Sequence, residues 1–138
     1  MSHSLRVFVV DDSRDGALTS TMLLRALGHD VRSAQEGHLA LEEAPRFKPH
    51  LMLVDIGMSP LDGYEIAKRL RQEPELANTT LVAVTGYGDR AHRQRAEVAG
   101  FAEYLVKPIG LEQLRELLGR IRQGTKPIDV QALTPESV

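Results

Sequence analysis

The chain has 138 residues, 42% hydrophobic and 26% charged, with a formal net charge of -2 and no cysteine. That length suits one domain with its own core; the absence of cysteine excludes disulfides and thiolate metal sites, and the charge balance supplies no basic field for nucleic acid. No apolar run approaches the roughly 20 residues of a membrane helix, and Met1-Ser2-His3-Ser4 lacks the charged-then-apolar pattern of a secretory signal. The expectation is therefore a cytoplasmic domain without membrane or direct nucleic-acid contact.

In chain order, an apolar run over residues 5–10 reads as a strand and ends in Asp11-Asp12. Ser13 and Asp15 can cap the next helix, whose Ala17, Thr21, Leu24 and Leu27 recur at helical spacing before Gly28 stops it. Residues 31–34 form a short strand suited to a sheet edge. A helix over 37–44 offers Ala40, Leu41 and Ala44 to the core, and Pro45 and Pro49 bracket the connection that follows.

Residues 51–54 (Leu-Met-Leu-Val) are unbroken by any polar residue, the habit of a strand covered on both faces. The run ends in Asp55, and Gly57, Pro60 and Gly63 then interrupt regular structure. A helix over 63–72 follows, with Ile66, Ala67 and Leu70 inward and Pro74 beyond its end. The strand over 81–84 ends in Thr85, and Gly86-Tyr87-Gly88 makes a loop. Asp89 can cap a helix over 90–99 that carries Arg90, His92, Arg93 and Arg95 and stops at Gly100. A fifth strand, 103–106, ends in Lys107. The last helix, 111–122, has the clearest stripe, Leu111, Leu114, Leu117, Leu118 and Ile121. Residues 123–138 contain Gly124, Pro127 and Pro135 and little periodicity, so they read as a tail or linker.

Five alternations of strand and helix predict a doubly wound α/β domain over residues 1–122, a parallel sheet with helices on both faces. In such sheets ligands bind at the carboxyl ends of the strands. Side by side, these strands would bring three carboxylates (Asp11, Asp12, Asp55), the Thr85 hydroxyl and the Lys107 ammonium to one edge. Each residue alone has an ordinary explanation as turn, cap or solvated charge; the joint pattern does not.

That ordered set resembles the response-regulator receiver domain of two-component signalling. The likeness runs from about Leu5 to Arg122 and rests on the acidic pair, Asp55, Thr85 and Lys107-Pro108, with the Asp55-x-x-Met58 and Leu61-Asp62-Gly63 spacings alongside. It implies a flavodoxin-like strand order 2-1-3-4-5. It further implies Mg²⁺ held directly by Asp12, Asp55 and the Gly57 carbonyl, with Asp11 acting through water; Asp55 as phosphoacceptor from a sensor histidine kinase or histidine phosphotransfer protein; Lys107 on the phosphoryl oxygens; and a cis peptide at Lys107-Pro108. Thr85 and Tyr104 would be the switch residues, read out by a downstream protein on the face made by the fourth helix, fifth strand and fifth helix. Autodephosphorylation by water would reset the domain.

One departure is visible: Ser59 separates Met58 from Pro60, where the family usually places proline directly after the methionine. Gly57 and Tyr87 occupy positions that the resemblance links to phosphoryl lifetime, with Tyr87 expected to slow hydrolysis. Two alternatives differ in kind. A receiver fragment of a hybrid kinase would carry the same residues. An aspartate-nucleophile phosphohydrolase would want an acid two residues after Asp55, where this chain has Gly57.

Overall fold

A computed structural model describes residues 4–57, 62–86 and 90–122. The strands are β1 (Arg6–Val10), β2 (Asp30–Ala34), β3 (Leu51–Asp55), β4 (Thr80–Thr85) and β5 (Glu103–Val106). The helices are α1 (Arg14–Ala26), α2 (Gly37–Phe47), α3 (Gly63–Leu70), α4 (Arg90–Ala99) and α5 (Leu111–Arg122). A single 3₁₀ turn, Pro74–Leu76, lies between α3 and β4. All strand pairs are parallel, in the order β2-β1-β3-β4-β5 that the resemblance implies.

Strand side chains alternate between two faces, and each face has its own core. Phe8, Val10, Met52, Val54, Leu81 and Ala83 pack against α2, α3 and α4. Val7, Val9, Leu51, Leu53, Val82 and Val84 pack against α1 and α5. Covering both faces explains why the strand at 51–54 has no polar position to spare.

Three local expectations are corrected. First, α2 does not stop at Ala44: it runs through Pro45 to Phe47 and ends at Lys48, whose φ of 52° is left-handed. The extra turn buries Phe47, whose ring meets Phe8 edge-on at 6.2 Å while Arg32 stacks over it at 4.6 Å. Burying a phenylalanine contributes about 1.5–3 kcal/mol and an aromatic contact up to about 1.5 more, enough to offset the roughly 3 kcal/mol cost of an interior proline. Second, α3 ends at Leu70 rather than at Gln72. Third, Leu111 at the start of α5 is 40% exposed, so the buried stripe is Leu114, Leu117 and Leu118.

The helices that approach the carboxyl edge of the sheet start close to it. A Cβ at Gly63 would lie 2.5 Å from the Ile56 Cα and 2.8 Å from the Asp55 carbonyl oxygen. Only glycine lets α3 begin against the exit of β3. The expected loop around Met58 and Pro60, Tyr87, the Asp89 cap and the tail 123–138 lie outside the described residues. Among the described residues no helix is long and apolar enough to cross a membrane.

Candidate functional site

Asp11 leaves β1 in extended register, its amide donating to the Ala34 carbonyl at 3.1 Å, so the residue is fixed by one further rung of the β1–β2 ladder. Its side chain turns inward and is nearly fully buried. The Ser13 amide donates to Asp11 Oδ1 at 2.9 Å, and the Ser13 hydroxyl caps α1 by accepting from the Gly16 amide at 3.1 Å. One short segment thereby ends a strand, starts a helix and anchors a carboxylate.

Asp55 is the last residue of β3. Its Oδ1 accepts from the Gly57 amide at 2.9 Å, and its Oδ2 faces the Lys107 ammonium at 3.2 Å. The same ammonium stands 3.3 Å from Asp11 Oδ2. Lys107 is brought there by the chain leaving β5, where its amide donates to the Thr85 carbonyl at 2.7 Å before a cis bond to Pro108. Asp12 is exposed at the rim. Asp11, Asp12 and Asp55 each offer one carboxylate oxygen, and these oxygens lie within 4.8 Å of one another.

Charge does not balance within this cluster. Three carboxylates face one ammonium. Burial, and behind it the Asp55 charge, raises the Asp11 pKa above the ordinary carboxylate value, although the Ser13 amide and Lys107 pull it the other way. Burial works against the Lys107 ammonium, but Asp55 and Asp11 together outweigh it and hold its pKa above that of an ordinary lysine. Close carboxylates that are short of cations are what a hard divalent ion relieves. The donor set, all oxygen and open to water at Asp12, fits Mg²⁺.

The structure thus gathers four of the five expected site side chains, those of Asp11, Asp12, Asp55 and Lys107, at one edge. Thr85, buried at the end of β4, sits at the same edge through register: Asp55 pairs with Val84 and Thr85 with Val106. Tyr104 lies two residues back on β5, half-buried and packed against the core on the α4 side, with the Arg93 guanidinium 5.1 Å above its ring. Arg95 stacks on Tyr64 at 4.1 Å and approaches Asp62 at 3.8 Å. Two members of the basic set on α4 are therefore folded back onto the domain. The anchoring amides of Ser13 and Gly57 leave no mark in the sequence, because a backbone donor carries no residue-type signal.

A parallel sheet covered by helices on both faces, with three carboxylates and a lysine gathered at its carboxyl edge, makes this a doubly wound α/β domain with an acidic site. The model of the response regulator receiver domain family matches residues 7–119, and the chain belongs to that family, whose members are regulatory phosphoacceptor domains. It is 31% identical over 121 residues to protein PilG of Pseudomonas aeruginosa, covering 88% of this chain and 87% of that one. It is 35% identical over 118 residues to the gliding motility regulatory protein of Myxococcus xanthus, covering 85% of this chain but 15% of that protein. This chain thus spans about one seventh of that longer relative. Among solved structures, the receiver domain of a sensor histidine kinase from Pseudomonas aeruginosa, with a magnesium ion coordinated in its active-site cleft, superposes with a TM-score of 0.80 at 25% identity, over 87% of this chain and 98% of that one.

Proposed function

We propose that Asp55 accepts a phosphoryl group from the phosphohistidine of a histidine kinase or phosphotransfer protein. An Asp55 carboxylate oxygen attacks phosphorus, the P–N bond breaks, the histidine imidazole leaves, and Asp55 carries an acyl phosphate. The transition state is loose, so positioning and charge stabilisation supply most of the catalysis. The Gly57 amide and Lys107 orient the nucleophile through its two oxygens, and Lys107 then follows the phosphoryl oxygens. Asp12 and Asp55 would hold Mg²⁺ directly, with the Gly57 carbonyl as a further ligand and Asp11 acting through water. When bound, that ion neutralises the carboxylates and the incoming phosphoryl charge. Thr85 and Tyr104 would convert phosphorylation into a change of the α4–β5–α5 face, a bias between two arrangements, and hydrolysis of the acyl phosphate would reset it.

The observation that carries this reading is the Lys107 ammonium seated between Asp11 and Asp55 in a cluster of three carboxylates. It is tested by incubating the protein with Mg²⁺ and acetyl phosphate and weighing it intact. One added phosphoryl group, absent from Asp55→Asn, is expected; no gain, or the same gain in the variant, rejects the reading. A receiver acting inside a longer chain is the second reading, favoured by the small share of the Myxococcus relative that this chain spans. A phosphohydrolase is disfavoured because position 57 offers Asp55 an amide rather than an acid.

A further inference from the structure

Gly16 lies in the first turn of α1, inside a helix, where glycine is among the poorest residues. Its backbone needs no left-handed conformation: among the described glycines only Gly28 and Gly100 have positive φ. What distinguishes it is its neighbour. A Cβ built at Gly16 would stand 2.6 Å from Asp11 Oδ2 and 3.3 Å from Asp11 Cγ. The first distance is closer than carbon and oxygen can pack.

The structure also says which partner would yield. The helix is held by Ala17, Thr21 and Leu24, all buried, and by the Ser13 cap, whereas Asp11 Oδ2 is the end of a side chain. That oxygen faces Lys107 at 3.3 Å while Oδ1 takes the Ser13 amide at 2.9 Å. A rotation that cleared a methyl group at position 16 would break one of these contacts. We infer that Gly16 is a positioning residue: its missing side chain is the space that lets the Asp11 carboxylate stay inside the acidic cluster. The inference rests on the metal-binding reading above. A second helical glycine serves as its control. Gly119 in α5 has nothing within 4 Å of an added Cβ, so Gly119→Ala makes the same chemical change without the collision.

The test is Mg²⁺ titration calorimetry on the full chain and its variants, with thermal unfolding in chelator alongside. Gly16→Ala is expected to fold and to bind Mg²⁺ about 10-fold more weakly, the lower end of what disturbing a residue behind the direct ligands costs. Gly119→Ala keeps the wild-type affinity. In an Asp11→Ala background, adding Gly16→Ala weakens binding no further, because the effect passes through Asp11. Gly16→Ala with unchanged affinity, or an equal further loss in the Asp11→Ala background, overturns the inference. If Gly16→Ala fails to fold, recovery of folding in the double variant supports the collision and its absence overturns it. A wild type that binds no Mg²⁺ sinks the metal-binding reading itself, a result distinguishable from the others.

Discussion

At the amino ends of its strands the sheet is finished by side chains that complete backbone hydrogen bonds. His29 Nδ1 accepts from the Leu5 amide at 3.0 Å, and His50 Nδ1 accepts from the Arg6 amide at 2.9 Å. The Thr79 hydroxyl donates to the Pro49 carbonyl at 2.7 Å, and Arg71 donates to the Leu76 and Thr79 carbonyls at 3.2 and 2.8 Å. At the carboxyl ends, in contrast, two carboxylates and a lysine bond mainly to one another, with two loop amides in support. One edge leaves its backbone satisfied; the other leaves negative charge in excess. On the proposed function, the difference separates groups that hold the fold from groups held ready for a ligand, although both are polar and partly buried.

Variants at the two edges should therefore have separable effects. The largest is loss of phosphoryl uptake: Asp55→Asn should take up none by intact mass, while His29→Asn, which keeps an acceptor for the Leu5 amide, should take up one group as the wild type does. Loss of uptake in His29→Asn would break the division. Next, Arg71→Met should cost about 2–3 kcal/mol in urea unfolding, since it removes two hydrogen bonds from a charged donor, and it should leave Mg²⁺ affinity unchanged.

The histidines sharpen the comparison through pH. Burial first, and then Arg122 for His29 and Arg6 for His50, lowers both pKa values below the ordinary 6.5. A nitrogen that accepts an amide proton cannot also carry one. The stability these neutral imidazoles contribute is complete above the unfolded-state value of 6.5 and is lost as pH falls through their lower folded values, where the unfolded chain binds more protons. Denaturation of metal-free protein at a series of pH values should show that decline, and it should flatten in the His29→Asn, His50→Asn double variant. The smallest effect belongs to neither edge. Arg69→Ala breaks the exposed Glu65–Arg69 pair on α3 and should cost about 0.3–0.5 kcal/mol, within reach of careful urea titrations.

Much of the carboxyl edge was legible because its side chains are rare where they stand. A carboxylate ending the apolar run 51–54, or a lysine ending 103–106, interrupts a pattern, and the eye is drawn to the interruption. The opposite edge sent no such signal. Nothing about the residue type of His50, just before β3, marks it, yet its ring accepts the Arg6 amide across 44 positions of sequence. The arginines of α4 read as one basic face, yet Arg93 and Arg95 lie on Tyr104 and Tyr64. Pro45 reads as a stop, yet α2 continues because Phe47 has Phe8 to pack against.

The order of apolar runs, breakers and terminal polar residues by itself determined the alternating α/β architecture, the parallel sheet and which polar residues stand at its carboxyl edge, because burial on two faces imposes a pattern that the order of residue types carries. Tertiary structure decided the rest: that Lys107 bridges Asp11 and Asp55, that backbone amides of residues 13 and 57 anchor the carboxylates, and that a Cβ at Gly16 would meet Asp11. These depend on distances of a few ångströms between segments far apart in the chain, and spacing along a sequence does not encode such distances until the sheet has set the strands side by side.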